Sequence, residues 1–221
     1  MCMFNLFSIT DSPLKMLAEI LAYVIVIIMS LSLHEFAHAY SAYKFGDNTP
    51  KAYGRLTLNP FAHIDPFGIL CLLLVGFGWA KPVEVNPLKF RNYKVGMSVV
   101  SLAGVITNFL LAFVFSGLFF FCMPFMFSSN LFLIFLGYIF EFGAVINIGL
   151  CIFNLLPIYP LDGFKFLQTF LSYENKFVRF MQKYGSILLL VFIITPLFDD
   201  LFTLLTGGIM SGFFVFWSLF I

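Results

Sequence analysis

Residues 14–43 read LKMLAEILAYVIVIIMSLSLHEFAHAYSAY, and this stretch decides the fold. Ser12 and Pro13 stand before it as a helix cap and a first-turn proline. No breaker follows until Gly46-Asp47-Asn48-Thr49-Pro50. At the rise of an α-helix the run is ~45 Å long, enough to cross a hydrocarbon core and project beyond it. Its apolar pattern is interrupted near the far end by His34, Glu35 and His38. Charged and metal-liganding groups at membrane depth are costly, so they mark function.

The composition agrees with a chain that lives in lipid. Of 221 residues, 61% are hydrophobic and only 10% charged, and several apolar runs reach bilayer length. The expected fold is an all-α polytopic membrane protein with roughly five to six membrane segments. One of these is a short re-entrant segment, and a small extended or β element lies near the cytoplasmic face. The length suits a single membrane-embedded domain over residues 1–221, with its core at about 13–172 and C-terminal membrane segments at 173–221. A net charge of +1 gives no footprint for nucleic acid. The 33 phenylalanines read as lipid-facing bulk. Cys2, Cys71, Cys122 and Cys151 have no CxxC spacing, which argues against a disulfide framework or a cysteine zinc site. Met1–Ile9 lacks the basic region and small-residue cleavage site of a removable signal.

Beyond the first helix, residues 51–65 are polar and carry turn signals at Gly54-Arg55 and Asn59-Pro60, leaving short strands or an irregular loop. Phe67–Trp79 is apolar but too short to span, which predicts a re-entrant or interfacial segment. Ala80–Lys94, with two prolines and four basic residues, reads as an extended surface loop. Val95 to about Met123 and Leu131 to about Phe153 are the second and third long helices, with Glu141 the only charge in the third. Pro157, Pro160 and Gly163 break the chain before a short helix at Phe164–Leu171. Tyr173–Lys183 reads as polar and basic. Asp199-Asp200 then interrupts the apolar runs 184–197 and 201–221, which are either two crossings or one crossing plus an interfacial helix.

Basic residues gather at Lys44–Arg55, Lys81–Lys94 and Lys176–Lys183, while the turn at 124–130 has none. The positive-inside rule places the three basic clusters in the cytoplasm and that turn outside.

His34 and His38 are four residues apart and share one helix face. Two such imidazoles can converge on one zinc ion. In an HExxH arrangement the glutamate, here Glu35, is not a ligand but takes a proton from the activated water. The bland alternative bonds both rings to backbone carbonyls and pairs Glu35 with a lysine. A third ligand is needed, and Asp162 is the best candidate, a carboxylate among helix breakers in an apolar stretch. It also suits an N-cap of the following helix. His34 and His38 lie ~18 and ~12 Å below the cytoplasmic helix end and Asp162 ~16 Å below its own, so the three reach similar depth. Non-helical backbone there requires a wet cavity, open to the cytoplasm.

His34-Glu35-Phe36-Ala37-His38 and the later Asn154-Leu155-Leu156-Pro157-Ile158-Tyr159-Pro160-Leu161-Asp162-Gly163 together resemble the site-2 protease family of intramembrane zinc metalloproteases. Residues 54–68 and 78–83 resemble its compact bacterial members, which lack a PDZ domain. The resemblance implies one zinc per chain held by His34, His38 and Asp162, with Glu35 as general base. It implies a multi-pass protein of the cell (inner) membrane whose partners are the lipid bilayer and a transmembrane protein substrate. Many members carry Gly-Pro-x-x-Asn in the central helix, and here the match is Gly104-Val105-Ile106-Thr107-Asn108, with Val105 in the proline position. Asn108 suits either an oxyanion donor or an interhelical hydrogen bond. Asn154 suits substrate contact or the helix break, and His63 reads as a surface-loop residue. The competing function is a metal transporter or scaffold that keeps a protease-like metal site. Ala80–Asn86 would offer a strand edge to an unwound substrate. Oligomeric state is not legible.

Overall fold

The computed structural model describes residues 12–75, 78–172 and 174–221. The readings made for Met1–Ile9 and Cys2, and for Gly76-Phe77 within the short apolar segment, lie outside these residues. Eight α-helices occupy the described chain: α1 Pro13–Lys44, α2 Thr49–Ala52, α3 Pro66–Val75, α4 Tyr93–Cys122, α5 Leu131–Leu155, α6 Asp162–Gln168, α7 Lys176–Ile194 and α8 Pro196–Ser218. Five of them, α1, α4, α5, α7 and α8, are long and apolar enough to cross a membrane. The protein is an all-α polytopic membrane protein.

α1, α4 and α5 form the central bundle. α1 buries Ala22, Tyr23, Val26 and Ile27 as one stripe against Phe142 of α5, with the Tyr23 and Phe142 rings edge to face at 5.6 Å. Lipid is as apolar as any side chain, so close backbone approach rather than water exclusion drives such packing. α4 accordingly turns Gly96, Val100, Gly104, Asn108, Ala112 and Ser116 inward, mostly small residues at a four-residue repeat. Asparagine opens several elements: Asn92, Asn130 and Asn175 accept from Val95, Phe132 and Phe177 backbone N–H groups.

The phenylalanines are not all lipid-facing bulk. Phe109 and Phe113 of α4 stack with Phe213, Phe216 and Trp217 of α8, and the Trp217 indole donates to Ser116 Oγ at 3.1 Å. This aromatic seam attaches α8 to the bundle.

The C-terminal boundaries differ from the sequence reading. The polar stretch before Tyr184 is helical from Lys176, because its charges fall on exposed positions of a continuous helix. The interruption lies at Thr195-Pro196 rather than at Asp199-Asp200. Asp199 sits in the first turn of α8, where the helix dipole favours a carboxylate. The two runs are thus two separate helices of crossing length.

The polar region after α1 holds no sheet among the described residues. It contains one antiparallel bridge, Ile64 with Ala80, and residues 81–86 continue from it outside any helix or strand, with Asn86 in extended backbone. Its anchor is Asp47, whose carboxylate is wholly buried. Asp47 Oδ1 accepts from the Thr49 amide (2.9 Å) and hydroxyl (2.5 Å), and Oδ2 accepts from the Asn86 amide at 2.6 Å. Gly46 makes the turn into Asp47 at φ +107°, and a Cβ there would press on the Lys89 carbonyl at 3.1 Å. His63 is not the surface residue expected: it is buried, donating from Nε2 to the Thr57 carbonyl at 2.9 Å, and the Arg55 guanidinium donates to the adjacent Ala62 carbonyl.

Burial acts to raise the Asp47 carboxyl. The Thr49 hydroxyl, the Asn86 and Thr49 amides and the Lys89 ammonium outweigh it and hold the group below the usual carboxylate range. A carboxylate so depressed stabilises the fold above the unfolded pKa and ceases to do so as pH falls through the folded one. The melting-temperature gap between the natural chain and Asp47→Asn is therefore expected to be full above about pH 4 and to close below it. Thermal unfolding in detergent across that range reads it; a gap independent of pH contradicts the assignment.

Candidate metal centre

α1 delivers His34 and His38 on its buried face, and both rings lie against α4. The third group arrives from the break after α5. α5 ends at Leu155, Pro157 and Pro160 keep the chain out of helix, and α6 starts at Asp162. A Cβ on Gly163 would collide with the Leu155 and Leu156 carbonyls, so the glycine lets α6 fold back onto the end of α5. Asp162 is the first residue of α6, not its cap, which is Leu161. Asp162 Oδ2 lies 3.1 Å from His34 Nε2 and 3.0 Å from His38 Nε2, and the two Nε2 atoms are 3.0 Å apart. All three residues are buried.

The protons on these rings are fixed from a distance. Asn147 Nδ2 donates to the Gly143 carbonyl at 2.7 Å and to Ser30 Oγ at 2.8 Å, which turns Asn147 Oδ1 towards α4. Asn108 must then present Nδ2 to Asn147 (2.7 Å) and Oδ1 to His34 Nδ1 (2.5 Å). His34 Nδ1 is thereby the donor. His38 Nδ1 donates likewise to the Val100 carbonyl at 2.6 Å. With Nδ1 protonated, each neutral imidazole offers a bare Nε2. With both rings neutral, two nitrogen lone pairs and a carboxylate oxygen face one point. A cation at that point relieves the repulsion. Donors around a tetrahedral zinc stand about 3.3 Å apart, so the observed triangle fits with a widening of a few tenths of an ångström.

Lys165 Nζ donates to Asp162 Oδ1 at 2.9 Å, leaving Oδ2 for the imidazoles. Glu35 stands beside the triad but outside it, its Oε2 accepting from the Val83 amide at 3.0 Å. Among the described residues this is the one cluster of three such donors.

The structure thus brings together His34, His38 and Asp162, with Glu35 adjacent. Asn108 is committed to His34 and Asn147, which matches the interhelical hydrogen bond among its two readings. Asn154 donates back to the Leu150 carbonyl of its own helix and touches none of the three. Not foreseen from the sequence were Asn147, Ser30, Lys165, the Val83 amide and the steric role of Gly104. Asn147, an amide in the middle of an apolar helix, was the available signal; a backbone amide carries none. Gly104 has a steric role: a Cβ there would lie 2.5 Å from Cε1 and Nε2 of His34. On the other side of the HExxH turn, an open groove of about 590 Å³ runs between α1 and α4, lined by Phe36, Ala37, Tyr40, Ser98, Leu102 and Ala103 among others.

Spanning helices that converge an HExxH pair and a distant aspartate on one point define a membrane-embedded metalloprotease. The chain belongs to peptidase family M50, the site-2 protease family, whose model matches residues 22–195. It is 41% identical over 179 residues to "Putative zinc metalloprotease YwhC" of Bacillus subtilis, covering 79% of this chain and 80% of the relative. It is 32% identical to "Putative zinc metalloprotease Rip2" of Mycolicibacterium smegmatis, over 85% of this chain and 73% of the relative. A protein of the same name in Mycobacterium tuberculosis is 29% identical, over 79% and 67%. No solved structure matches the chain.

Gly104→Ala is expected to push the His34 ring off the shared point and abolish most zinc uptake. Asn108→Ala should weaken zinc by about 10–100-fold, by freeing the ring and its tautomer. Zinc per chain after equilibration with a competing chelator measures both; full occupancy in Gly104→Ala contradicts the packing argument.

Proposed function

We propose that this chain is an intramembrane zinc metalloprotease that hydrolyses a peptide bond in or near a transmembrane segment of a substrate protein. The observation that carries the reading is the convergence of two imidazole Nε2 atoms and one carboxylate oxygen, with a second carboxylate, Glu35, beside them but uncommitted to the triad. Two imidazoles and a carboxylate are a donor set suited to zinc. The relatives' names, zinc metalloproteases, support the same ion.

His34, His38 and Asp162 would hold the metal. Zinc there supplies Lewis acidity that makes water a usable nucleophile at neutral pH. Glu35 takes the proton of the attacking water on a carboxylate oxygen and passes it to the leaving amine nitrogen. Lys165 holds the outer oxygen of Asp162, and Asn108 keeps the His34 ring in one tautomer. The substrate must unwind locally, because a helix buries its own carbonyls in hydrogen bonds. Residues 80–86 give it a strand edge beside Glu35. The apolar groove between α1 and α4 gives room for substrate side chains at the same level. The basic clusters favour the cell (inner) membrane with the centre opening towards the cytoplasm.

The discriminating experiment is Glu35→Gln in the full chain. It is expected to keep one zinc per chain, since Glu35 is not a ligand. Cleavage of a transmembrane peptide should fall by about 10²–10⁴-fold. Undiminished cleavage would eliminate Glu35 as base, and an absence of bound zinc in the natural chain would eliminate the metalloprotease.

A further inference from the structure

Asp47 lies outside the metal centre, yet it is among the most completely buried carboxylates outside that centre, and the chemistry so far gives it no part. It holds one end of the segment that reaches Glu35. Residues 80–86 are fastened at two ends. At one, the Ile64–Ala80 bridge is joined by the Lys81 amide, which donates to the His63 carbonyl at 2.8 Å. At the other, the Asn86 amide donates to Asp47 Oδ2 at 2.6 Å. Between them the Val83 amide donates to Glu35 Oε2 at 3.0 Å. The Asp47 end carries further ties. Lys89 Nζ donates to Thr49 Oγ1 at 2.9 Å, and the Arg91 amide donates to the Phe45 carbonyl at 3.1 Å. The far end is tied as well: the Trp79 indole donates to Asp65 Oδ2 at 3.1 Å, and His63 is buried. A segment tied at both ends has fewer positions open to its middle amide, and here that amide lies on Glu35.

We propose that Asp47 is a positioning residue for the reaction: by gripping the Asn86 amide it keeps residues 81–86 taut, so that the Val83 N–H fixes the carboxylate of Glu35. This rests on the reading of Glu35 as general base. Glutamate has three rotatable side-chain bonds, and a catalytic carboxylate left free of partners spends little time in the one productive rotamer. Tethering one oxygen leaves the other to face the attacking water. Asp47 itself touches neither metal ligands nor Glu35; it acts through the strand.

Two substitutions separate this role from general stabilisation. Val83→Pro removes the N–H donor but also sets a ring carbon against Glu35 Oε2 and removes the valine side chain, so Val83→Ala, which keeps the N–H, is its side-chain control and is expected to leave kcat near natural. Asp47→Ala removes the anchor. In the zinc-loaded full chain, with a transmembrane peptide as substrate, Val83→Pro and Asp47→Ala are each expected to lower kcat about tenfold or more, with KM and zinc content held near natural values. The double variant should fall no further than the worse single, because both changes cut one tether. Hydrogen exchange gives a readout independent of cleavage. Amides in a peptide covering 81–86 should exchange faster in Asp47→Ala and in Glu35→Ala than in the natural chain. Should Asp47→Ala fail to fold, Asp47→Asn decides the matter: it keeps the shape of the anchor but removes the charge that grips the Asn86 amide, and the same fall in kcat and faster exchange over 81–86 are expected. Unchanged kcat in Val83→Pro, a change in KM alone, additive losses, or unchanged exchange would each overturn the proposal. If the natural chain binds zinc and cleaves nothing, the protease reading falls and the catalytic role with it. If Glu35→Gln is inactive but Val83→Pro is not, only the tether falls.

Discussion

Three electron-pair donors held face to face inside an apolar bundle form the constraint on which the rest of the structure depends. Two imidazole nitrogens and a carboxylate oxygen about 3 Å apart repel one another unless positive charge lies between them. Such an arrangement persists only where its supports are rigid. The supports are hydrogen bonds carried across three helices, from the Gly143 carbonyl through two asparagine amides to a single ring nitrogen. Each amide in that relay uses its oxygen and its nitrogen in the one orientation that the next member requires. Polar networks of this kind are stabilising when every member is satisfied and costly when one is not.

Much of this was legible in the sequence, because each ligand disturbs an otherwise apolar pattern. Two histidines and a glutamate at HExxH spacing near the end of a long helix announce themselves. So does an aspartate among Pro157, Pro160 and Gly163. Helix rise and the positions of basic residues alone give His34, His38 and Asp162 similar expected depths. Asn108 stood out for the same reason, though its partner could not be read. An asparagine in a helix looks the same whether it faces a ligand ring or a reacting carbonyl.

What stayed hidden depends on contacts that leave no local trace. The tie between Glu35 and residue 83 is a backbone amide, and every residue except proline has one. The wholly buried state of Asp47 depends on a segment forty residues away folding over it. At the C-terminal end, charge was given too much weight as a boundary marker. Lys176, Arg179 and Lys183 sit on the exposed face of a helix that continues into apolar sequence, and Asp199 favours the start of α8 rather than its interruption. The proline between them was the better marker, since it removes a donor and fixes a torsion angle. The aromatic seam between α4 and α8 was hidden in the same way, because ring-on-ring packing and lipid exposure demand the same residue type.

α4 contributes no donor to the central point, yet Val100, Gly104 and Asn108 on one of its faces govern both histidine rings. The helix works as a jig. A slide of one residue along its axis, about 1.5 Å, would take the carbonyl from one ring, the amide from the other, and the clearance from between them together. The two rings therefore cannot be misaligned independently. Whatever shifts this helix disarms the whole centre at a stroke, and whatever returns it restores every element in register.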